Sequence, residues 1–277
     1  MPGRTIRLVS YNLLEGLRTV PTTPASDVHP FDEERVVAAR RVVDDLSPDV
    51  LVLNEALYCL RHAGRRVDYA ALFGYPHQVC ALYGDAWGNA VLSRFPVVRH
   101  EEMRIHNRGG VMADLDTPDG PLAVGSYHPH PGRYPGHKAL DFVRLLGQRE
   151  GPRLVAGDMN AVSPADDPDR DALVRAFSRF DQDPAGTVDR FLDSGRAVFG
   201  ALENLGLRDA MPDAARRYTI PTDLLSTDKG SGIRIDHVLV SDEIEVLDGG
   251  VARNPETERA SDHYPVWIDL RLREASP

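Results

Sequence analysis

The sequence predicts an α/β fold, because helix-like and strand-like segments both recur along its 277 residues. Residues 33–46 carry apolar side chains at helical spacing, whereas residues 50–53 form a short continuous apolar run typical of a buried strand. Between residues 77 and 127, five short strand-like runs are separated by turns, a pattern that favours antiparallel pairing. A hydrophobic content of 42% permits a large core. No internal repeat is visible, so one domain over residues 1–277 is the simplest interpretation.

The first predicted elements each end in a polar residue. Residues 5–14 alternate as a strand with Asn12 near its end. After a proline-containing loop, Asp32 is placed to cap a helix that Ser47-Pro48 would stop. The second buried strand spans residues 49–55 and finishes in Asn54 and Glu55.

The remaining elements follow from the same two periodicities and from Gly and Pro punctuation. Strands are predicted at residues 77–82, 88–93, 97–105, 111–116, 122–127, 154–157, 216–221, 233–241, 244–253 and 264–272, and helices at residues 67–73, 135–149, 171–180 and 188–205. Residues 163–205 depart furthest from compact alternation of strands and helices. We interpret them as an excursion able to cover a site.

Composition narrows the class of protein. Lys and Arg number 32 and Asp and Glu 42, so the net charge is 32 − 42 = −10. This acidity argues against tight, sequence-blind nucleic-acid binding but leaves a nucleic-acid substrate open. Cys59 and Cys80 form no CxxC pattern and are expected to be reduced. No apolar leader and no membrane-length run is visible, so we expect a cytoplasmic monomer without a membrane span.

Polar side chains recur at the predicted strand ends. In the stretch Leu154-Val155-Ala156-Gly157-Asp158-Met159-Asn160, the side chains of Asp158 and Asn160 share one face because strand residues two apart point the same way. Such residues are ordinary turn formers when they occur once. Here similar strand ends recur, and the set is Asn12, Glu55, His128, Asp158 with Asn160, and Asp262 with His263, plus Asp236 inside an apolar strand.

Phosphoester hydrolysis is the chemistry that such a set could perform. Carboxylate and amide oxygens suit Mg²⁺ or Mn²⁺, which polarises a phosphate. A histidine oriented by an aspartate can accept a proton from water, and a second histidine can donate to oxygens where charge develops. A zinc site built from His128, His130 and His137 is the competing interpretation, but their spacing fits no zinc motif.

Taken in order, the motifs resemble those of the endonuclease/exonuclease/phosphatase superfamily. The resemblance extends from Arg7 to about Leu270, and its strength lies in the complete ordered set rather than in any one motif. The motifs are Ser10-Tyr11-Asn12-Leu13, Leu53-Asn54-Glu55, Gly88-Asn89-Ala90-Val91-Leu92-Ser93, Ser126-Tyr127-His128, Gly157-Asp158-Met159-Asn160, Arg234-Ile235-Asp236-His237 and Ser261-Asp262-His263.

The resemblance implies a four-layer α/β sandwich, with two mixed, mainly antiparallel sheets packed face to face and helices outside. It also implies a set of metal ligands. By this resemblance, Glu55 corresponds to the family's main Mg²⁺ ligand, and Asn12 lies beside it. Asp262 corresponds to a further carboxylate near the metal. Asp158 is a candidate for both metal contact and catalysis. The second motif usually contains Gln where this chain has Asn54, which brings the geometry around the metal ligand into question.

The catalytic roles implied by the resemblance fall on the other positions. Asp158 and Asn160 resemble the pair that handles the nucleophile and the phosphate. His263, oriented by Asp236, resembles the base or phosphate-binding histidine, and His128 the histidine that stabilises the pentacovalent phosphorus or assists the leaving group. Whether Asp158 or His263 accepts the proton stays open. Asn89 is a candidate for orienting the substrate.

The identity of the phosphoester stays open in the sequence. We expect a divalent-metal-dependent phosphodiesterase acting on DNA, RNA or a small molecule. The alternative is a phosphomonoesterase acting on a small metabolite or an inositol phosphate, and a binding protein of the same fold without turnover is a third class. Aromatic side chains that could line the pocket are Tyr83, Trp87, His130, Tyr134 and Tyr218.

Overall fold

The structure is a computed structural model that describes most of the chain. The described residues are 3–19, 31–58, 61–62, 65–83, 87–105, 108–178, 181–226, 229 and 232–273. Among them, no helix combines the length and the apolar character that crossing a membrane requires.

The described residues form fourteen strands and six α-helices. The strands are β1 (Ile6–Asn12), β2 (Val50–Leu57), β3 (Arg61–His62), β4 (Arg65–Arg66), β5 (His77–Tyr83), β6 (Trp87–Ser93), β7 (Val97–Ile105), β8 (Arg108–Thr117), β9 (Gly120–Ser126), β10 (Arg153–Asp158), β11 (Leu207–Asp209), β12 (Asp236–Ser241), β13 (Ile244–Val251) and β14 (Val266–Leu272). The helices are α1 (Glu33–Leu46), α2 (Tyr69–Phe73), α3 (Pro135–Leu146), α4 (Arg170–Phe177), α5 (Pro184–Asn204) and α6 (Thr257–Ala260).

Two six-stranded sheets make the body of the protein. Their strand orders are β13-β14-β1-β2-β6-β5 and β11-β12-β10-β9-β8-β7. Only β1 with β2 and β9 with β10 are paired in parallel, and all other neighbours are antiparallel. Apolar side chains from both sheets share one buried cluster, which includes Leu8 and Val52 from one sheet and Val124 and Leu154 from the other. The sheets therefore pack face to face.

Helices cover the outer face of each sheet. On the first sheet, Ala39 and Val43 of α1 pack in a buried cluster with strand residues such as Val9 and Leu51. On the second, Phe142 of α3 and residues of α5 share a cluster with strand residues of β8 and β10. The arrangement is a helix–sheet–sheet–helix sandwich, which confirms the predicted fold class.

Strand direction brings the polar strand ends together. In the parallel pair β1 and β2, Asn12 lies directly opposite Asn54. In the second sheet, β10 and β12 run antiparallel, and Asp158 lies opposite Asp236. The end of β1 and the end of β10 meet at one edge of the sandwich, since the side chains of Asn12 and Asp158 are hydrogen-bonded.

Several predicted elements need correction. Residues 216–221 form no strand, and only an isolated bridge joins Ile220 to Ile233. The strand predicted from residue 233 begins at Asp236, so this aspartate lies at a strand end and not inside the strand. Helix α3 stops at Leu146 because Gly147 adopts a positive φ of 58°, before the predicted Gly-Pro stop. Strand β11, helix α6 and the β3–β4 pair were missed because they are too short to show a period.

Candidate active site

Two carboxylates and an amide converge where the two sheets meet. The side-chain amide of Asn12 donates to Glu55 Oε1 and to Asp158 Oδ2, each at 3.2 Å. Its Oδ1 atom accepts the backbone N–H of Leu14 at 3.0 Å. Asn12 and Asp158 are almost fully buried. The amide therefore bridges a carboxylate from each sheet.

A break in strand pairing aims Glu55 at this point. The register between β2 and β6 shifts between Leu53 and Ala56, which is a bulge. Glu55 itself has a φ of 54°, a conformation that costs a non-glycine residue free energy. Its Oε2 atom accepts the backbone N–H of Glu15 at 2.8 Å. The bulge turns the Glu55 carboxylate toward Asp158 and holds it there.

Close packing at Gly157 and hydrogen bonds to Asn160 hold the turn after β10 in place. Gly157 has a φ of 145°, and a Cβ atom there would lie 2.7 Å from both Asn54 Oδ1 and the Tyr127 carbonyl oxygen. Asn160 has a φ of 45°, donates its backbone N–H to Asp158 Oδ1 at 2.8 Å, and donates its side-chain amide to the Pro129 carbonyl at 3.0 Å. The buried ammonium group of Lys138 donates to the Asn160 carbonyl at 2.7 Å.

Two histidines flank Asp158. The distance from His128 Nε2 to Asp158 Oδ2 is 3.2 Å, and from His128 Nδ1 to Glu55 Oε1 it is 3.8 Å. His263 Nδ1 lies 2.7 Å from Asp236 Oδ2, and its Nε2 atom lies 3.8 Å from Asp158 Oδ2. Asp236 thus orients the His263 ring so that its other nitrogen faces Asp158. This is the Asp–His pair expected from the sequence.

The charges in this cluster stabilise one another. Burial would raise the pKa of the Asp158 carboxyl, but the His128 and His263 rings and the Asn160 N–H outweigh it and hold the pKa well below its usual range. Burial would lower the pKa of His263, but Asp236, Asp262 and Asp158 outweigh it and raise the pKa well above its usual range. These directions favour the ionised form of Asp158 and the protonated form of His263.

Asp262 lies near the Glu55 and Asp158 carboxylates, where negative charge accumulates. Burial raises the pKa of its carboxyl, and the Glu55 and Asp158 carboxylates add to this effect, while His263 and Arg35 oppose it. Carboxylates that repel one another in this way fit a bound cation, which would relieve their repulsion.

A divalent metal fits the donors that the site offers. Among the residues that the structure describes, no three His, Cys, Asp or Glu side chains are arranged to enclose a metal ion. Mg²⁺ does not require such a cage, because it commonly takes one or two carboxylates and completes its coordination with water and substrate phosphate. Glu55, with Asp262 or Asp158 nearby, provides a donor set of that kind. Asn12, predicted as a ligand, instead directs its NH₂ group at Glu55 and Asp158 and accepts the Leu14 N–H with its Oδ1 atom.

Asn89 lies behind the site and not in it. It is 1% exposed, its Oδ1 atom accepts from Asn54 Nδ2 at 2.9 Å, and its amide donates to the Gly109 carbonyl at 2.5 Å. Contact with a substrate, as predicted for Asn89, would require it to leave both partners. Asn54 in turn accepts the Asp158 backbone N–H at 2.7 Å. The asparagine that replaces the usual glutamine is therefore fully hydrogen-bonded between the two sheets.

The cluster forms the floor of an open pocket of about 670 Å³. Phe177 of α4 and Phe191 of α5 line its wall, with ring centroids 5.9 Å apart, so the 163–205 excursion contributes directly to the pocket. Arg108 adds a cation to the lining. Neither the phenylalanines nor Arg108 could be found from sequence, because nothing local distinguishes them from core or surface residues.

The candidate pocket aromatics do not all line the active-site pocket. His130 lines the pocket beside His128. Tyr134 lies in a neighbouring groove that also contains His130, and Tyr218 lines a different cavity. The side chains of Tyr83 and Trp87 lie outside the described part of the structure.

Sequence comparison relates the chain to known proteins. The profile of the Endonuclease/Exonuclease/phosphatase family matches residues 9–263. Exodeoxyribonuclease III of Haemophilus influenzae is 24% identical over 294 residues, covering 96% of this chain and 100% of the relative.

Structure comparison gives similar folds at lower identity. An endonuclease/exonuclease/phosphatase from Beutenbergia cavernae superposes with a TM-score of 0.68 at 20% identity, over 98% of this chain and 72% of that one. ANGEL2, described as a 2′,3′-cyclic phosphatase and solved with adenosine-2′,3′-vanadate, gives a TM-score of 0.64 at 15% identity, over 98% and 97%.

Proposed function

We propose a function for this chain, which belongs to the Endonuclease/Exonuclease/phosphatase family. The protein is a divalent-metal-dependent phosphoesterase, and it hydrolyses phosphodiesters by attack of water at phosphorus. The observation that carries the proposal is the convergence of Asn12, Glu55, His128, Asp158 and His263, with adjacent polar atoms 3.2–3.8 Å apart. The family and the curated relative support the coarser statement that the protein is a hydrolase.

The residues of the site have two chemical roles, proton transfer from water and hydrogen bonding to the phosphate oxygens. The Asp158 carboxylate, with His128 Nε2 at 3.2 Å and His263 Nε2 at 3.8 Å, can orient a water molecule and accept its proton as the general base. Protonated His263 and the buried His128 can donate hydrogen bonds to phosphate oxygens as negative charge develops there. Asp236 keeps the His263 ring in position, and Asn160 holds the Asp158 carboxylate.

Mg²⁺ or Mn²⁺ would bind Glu55, with Asp262 or Asp158 as a further ligand, and Asn12 would hold the Glu55 and Asp158 carboxylates in place. Bound there, the metal would neutralise phosphate charge and polarise the phosphorus centre. The side chains already gather the negative charge that such an ion needs, since Glu55 and Asp158 both raise the pKa of Asp262.

A phosphodiester is the preferred substrate class. The curated relative is named exodeoxyribonuclease III, and DNA or RNA is therefore the first substrate to test. The pocket is broad and lined by Arg108 and two phenylalanines, which suits a phosphate joined to further groups on both sides. A phosphomonoester or inositol phosphate is the alternative.

The test is hydrolysis by the purified protein with Mg²⁺ or Mn²⁺. The substrates are plasmid DNA, a short RNA, bis(4-nitrophenyl) phosphate, 4-nitrophenyl phosphate and an inositol polyphosphate. We expect diester turnover, and we expect Glu55→Gln and Asp158→Asn each to reduce kcat by about 10²–10⁴-fold, the usual contribution of a positioned catalytic group. Circular dichroism verifies that each variant is folded.

The matched control is Asp242→Asn, which makes the same chemical change at a carboxylate that is 89% exposed. It should retain full activity. Turnover of monoesters alone would assign the alternative substrate class. Normal rates in Asp158→Asn would contradict the site, and no turnover by folded, metal-loaded protein would favour a binding protein of the same fold.

A further inference from the structure

A second groove adjoins the candidate active site. Its volume is about 690 Å³, and it is lined by His130, Arg133, Tyr134, His137, Leu140 and Arg144, from the β9–α3 loop and helix α3. We call it the Tyr134 groove. His130 lines both this groove and the active-site pocket, so the two are direct neighbours.

Apolar side chains are unusually exposed in this region. Tyr134 is 74% exposed and Leu140 56% exposed, and Leu225 in the active-site pocket is 61% exposed. Tyr134 and Leu140 line one groove and Leu225 lines the adjoining pocket, and exposed apolar groups that cluster beside a site in this way are typical of an interaction surface.

Tyr134 presents its ring from a fixed backbone. It immediately precedes α3, and its carbonyl oxygen accepts the Lys138 N–H at 2.9 Å. Its ring meets the His137 ring edge to face, with centroids 6.0 Å apart and planes at 88°. In this geometry His137 can cover at most one face of the Tyr134 ring, which leaves the other face open for stacking.

The groove is also locally cationic in an acidic protein. Its one carboxylate, Asp141, is nearly fully buried and is clamped by the Nε and Nη2 atoms of Arg133. Arg144 is exposed, and it pairs with no carboxylate in the described part of the chain. In a protein with a net charge of −10, Arg144 therefore gives this groove a cation that could hold a phosphate beside the active-site pocket.

We propose that the Tyr134 groove binds the nucleotides flanking the scissile phosphodiester of a single-stranded polynucleotide, with a base stacked on Tyr134 and a phosphate against Arg144. A single strand is required because bases in a duplex already stack on one another and are not available to an exposed ring. The inference rests on the proposed function and specifies its substrate.

The test compares two substrates of the metal-loaded enzyme, a single-stranded oligodeoxynucleotide and bis(4-nitrophenyl) phosphate. Tyr134→Ala should raise KM for the oligonucleotide about 5- to 20-fold, in line with the loss of one base-stacking contact. The rate with bis(4-nitrophenyl) phosphate should not change, because that ester is too small to reach the groove. Tyr134→Phe keeps the ring and should retain wild-type KM.

Arg144→Ala should weaken oligonucleotide binding and lower the slope of log K against log salt by about one, as expected for one lost phosphate contact. Arg40→Ala is the matched control, since Arg40 is an exposed arginine on α1, in the opposite helical layer. Binding of the fluorescein-labelled oligonucleotide is followed by anisotropy with metal removed by EDTA, which makes it independent of turnover.

The outcomes separate the two proposals. An unchanged oligonucleotide KM in Tyr134→Ala, or an equal loss on both substrates, would overturn the groove assignment while leaving the phosphodiesterase proposal standing. Binding that Tyr134→Ala weakens, without turnover of any ester by the wild-type protein, would support the groove and contradict the proposed function. Neither binding nor cleavage of the oligonucleotide would contradict the groove.

Discussion

Lys138 places an amino group in the interior of the fold. Its side chain is fully buried, and its Nζ atom donates to the Asn160 carbonyl at 2.7 Å and to Ser194 Oγ at 3.1 Å. Burial lowers its pKa to about 8, although Asp158 and Asp141 oppose the shift. The lysine thereby joins α3 and α5 to the turn that holds Asp158.

This buried lysine predicts a pH dependence of stability. Below pH 8 Lys138 is protonated in both the folded and unfolded states, so its contribution is constant and at its lowest. Between pH 8 and 10.5 only the unfolded chain keeps the proton, so the free energy of unfolding should gain up to about 3 kcal/mol as pH rises. Urea unfolding across this window measures the slope.

Lys138→Met should lack that part of the slope. Lys229→Met is the control, since it removes a lysine whose side chain is 26% exposed. Equal slopes in the wild type and in Lys138→Met would show that the buried lysine is not responsible.

At the residue scale, the sequence identified the polar residues of the site but not the buried residues whose hydrogen bonds hold them in place. Asn12, Glu55, Asp158 and His263 were visible because a polar residue at the end of an apolar run is a local signal. Lys138 was not, because its partners lie 22 and 56 residues away and helical periodicity cannot tell a buried lysine from a surface one. Asn54 was noted as a departure, but its hydrogen bonds to both sheets were not foreseen.

Strand β10 and the turn after it position the catalytic groups as one element. Gly157 allows the strand to pass close to Asn54 and to the Tyr127 carbonyl. Without that approach, the Asp158 N–H could not reach Asn54 Oδ1.

Gly157→Ala should therefore impair both stability and activity. The added Cβ atom would meet two oxygens at 2.7 Å from a strained φ, and we expect a loss of about 1–3 kcal/mol in unfolding free energy together with reduced kcat. Denaturant unfolding and diester hydrolysis are the measurements.

The matched substitution is Gly136→Ala in α3, where a Cβ atom meets nothing within 4 Å. It should be neutral or slightly stabilising, since alanine favours a helix more than glycine does. A Gly157→Ala protein as stable and active as Gly136→Ala would contradict the close-approach argument.

Helix α1 shows how an outer element supports the site. The buried guanidinium group of Arg35 donates to the carbonyls of Leu13, Leu14, Arg18 and Ala260, at 2.8–3.0 Å. It ties the loop after Asn12 to the segment before Asp262. Helical periodicity predicted α1 and its Asp32 cap, and the structure confirms both. The strand predicted at residues 216–221 was wrong, because an apolar alternation does not reveal whether a partner strand is available.

On the scale of the whole molecule, negative charge is concentrated where the sheets meet. Glu55 and Asp158 lie on β2 and β10, Asp262 lies in the loop between α6 and β14, and the first two raise the pKa of the third. Folding therefore brings together carboxylates that repel one another, which a bound cation would relieve.

Metal should for that reason stabilise the folded protein. Adding Mg²⁺ or Mn²⁺ should raise Tm in a saturable manner, with about 2.7 kcal/mol gained at a hundredfold excess over Kd. Differential scanning fluorimetry measures the shift, and EDTA should reverse it. Glu55→Gln should reduce the shift, whereas Asp242→Asn should not. A shift of equal size in Glu55→Gln would remove Glu55 from the metal site.

The sequence alone determined the fold class, the family and the set of polar strand ends, because periodicity, turn residues and short motifs are local properties of the chain. The tertiary structure decided what those residues contact. It placed Asn89 behind the site, brought Phe177 and Phe191 from the excursion into the pocket, and exposed Tyr134 in a groove beside it. These placements depend on how distant elements pack, and a single sequence does not encode that packing in any local pattern.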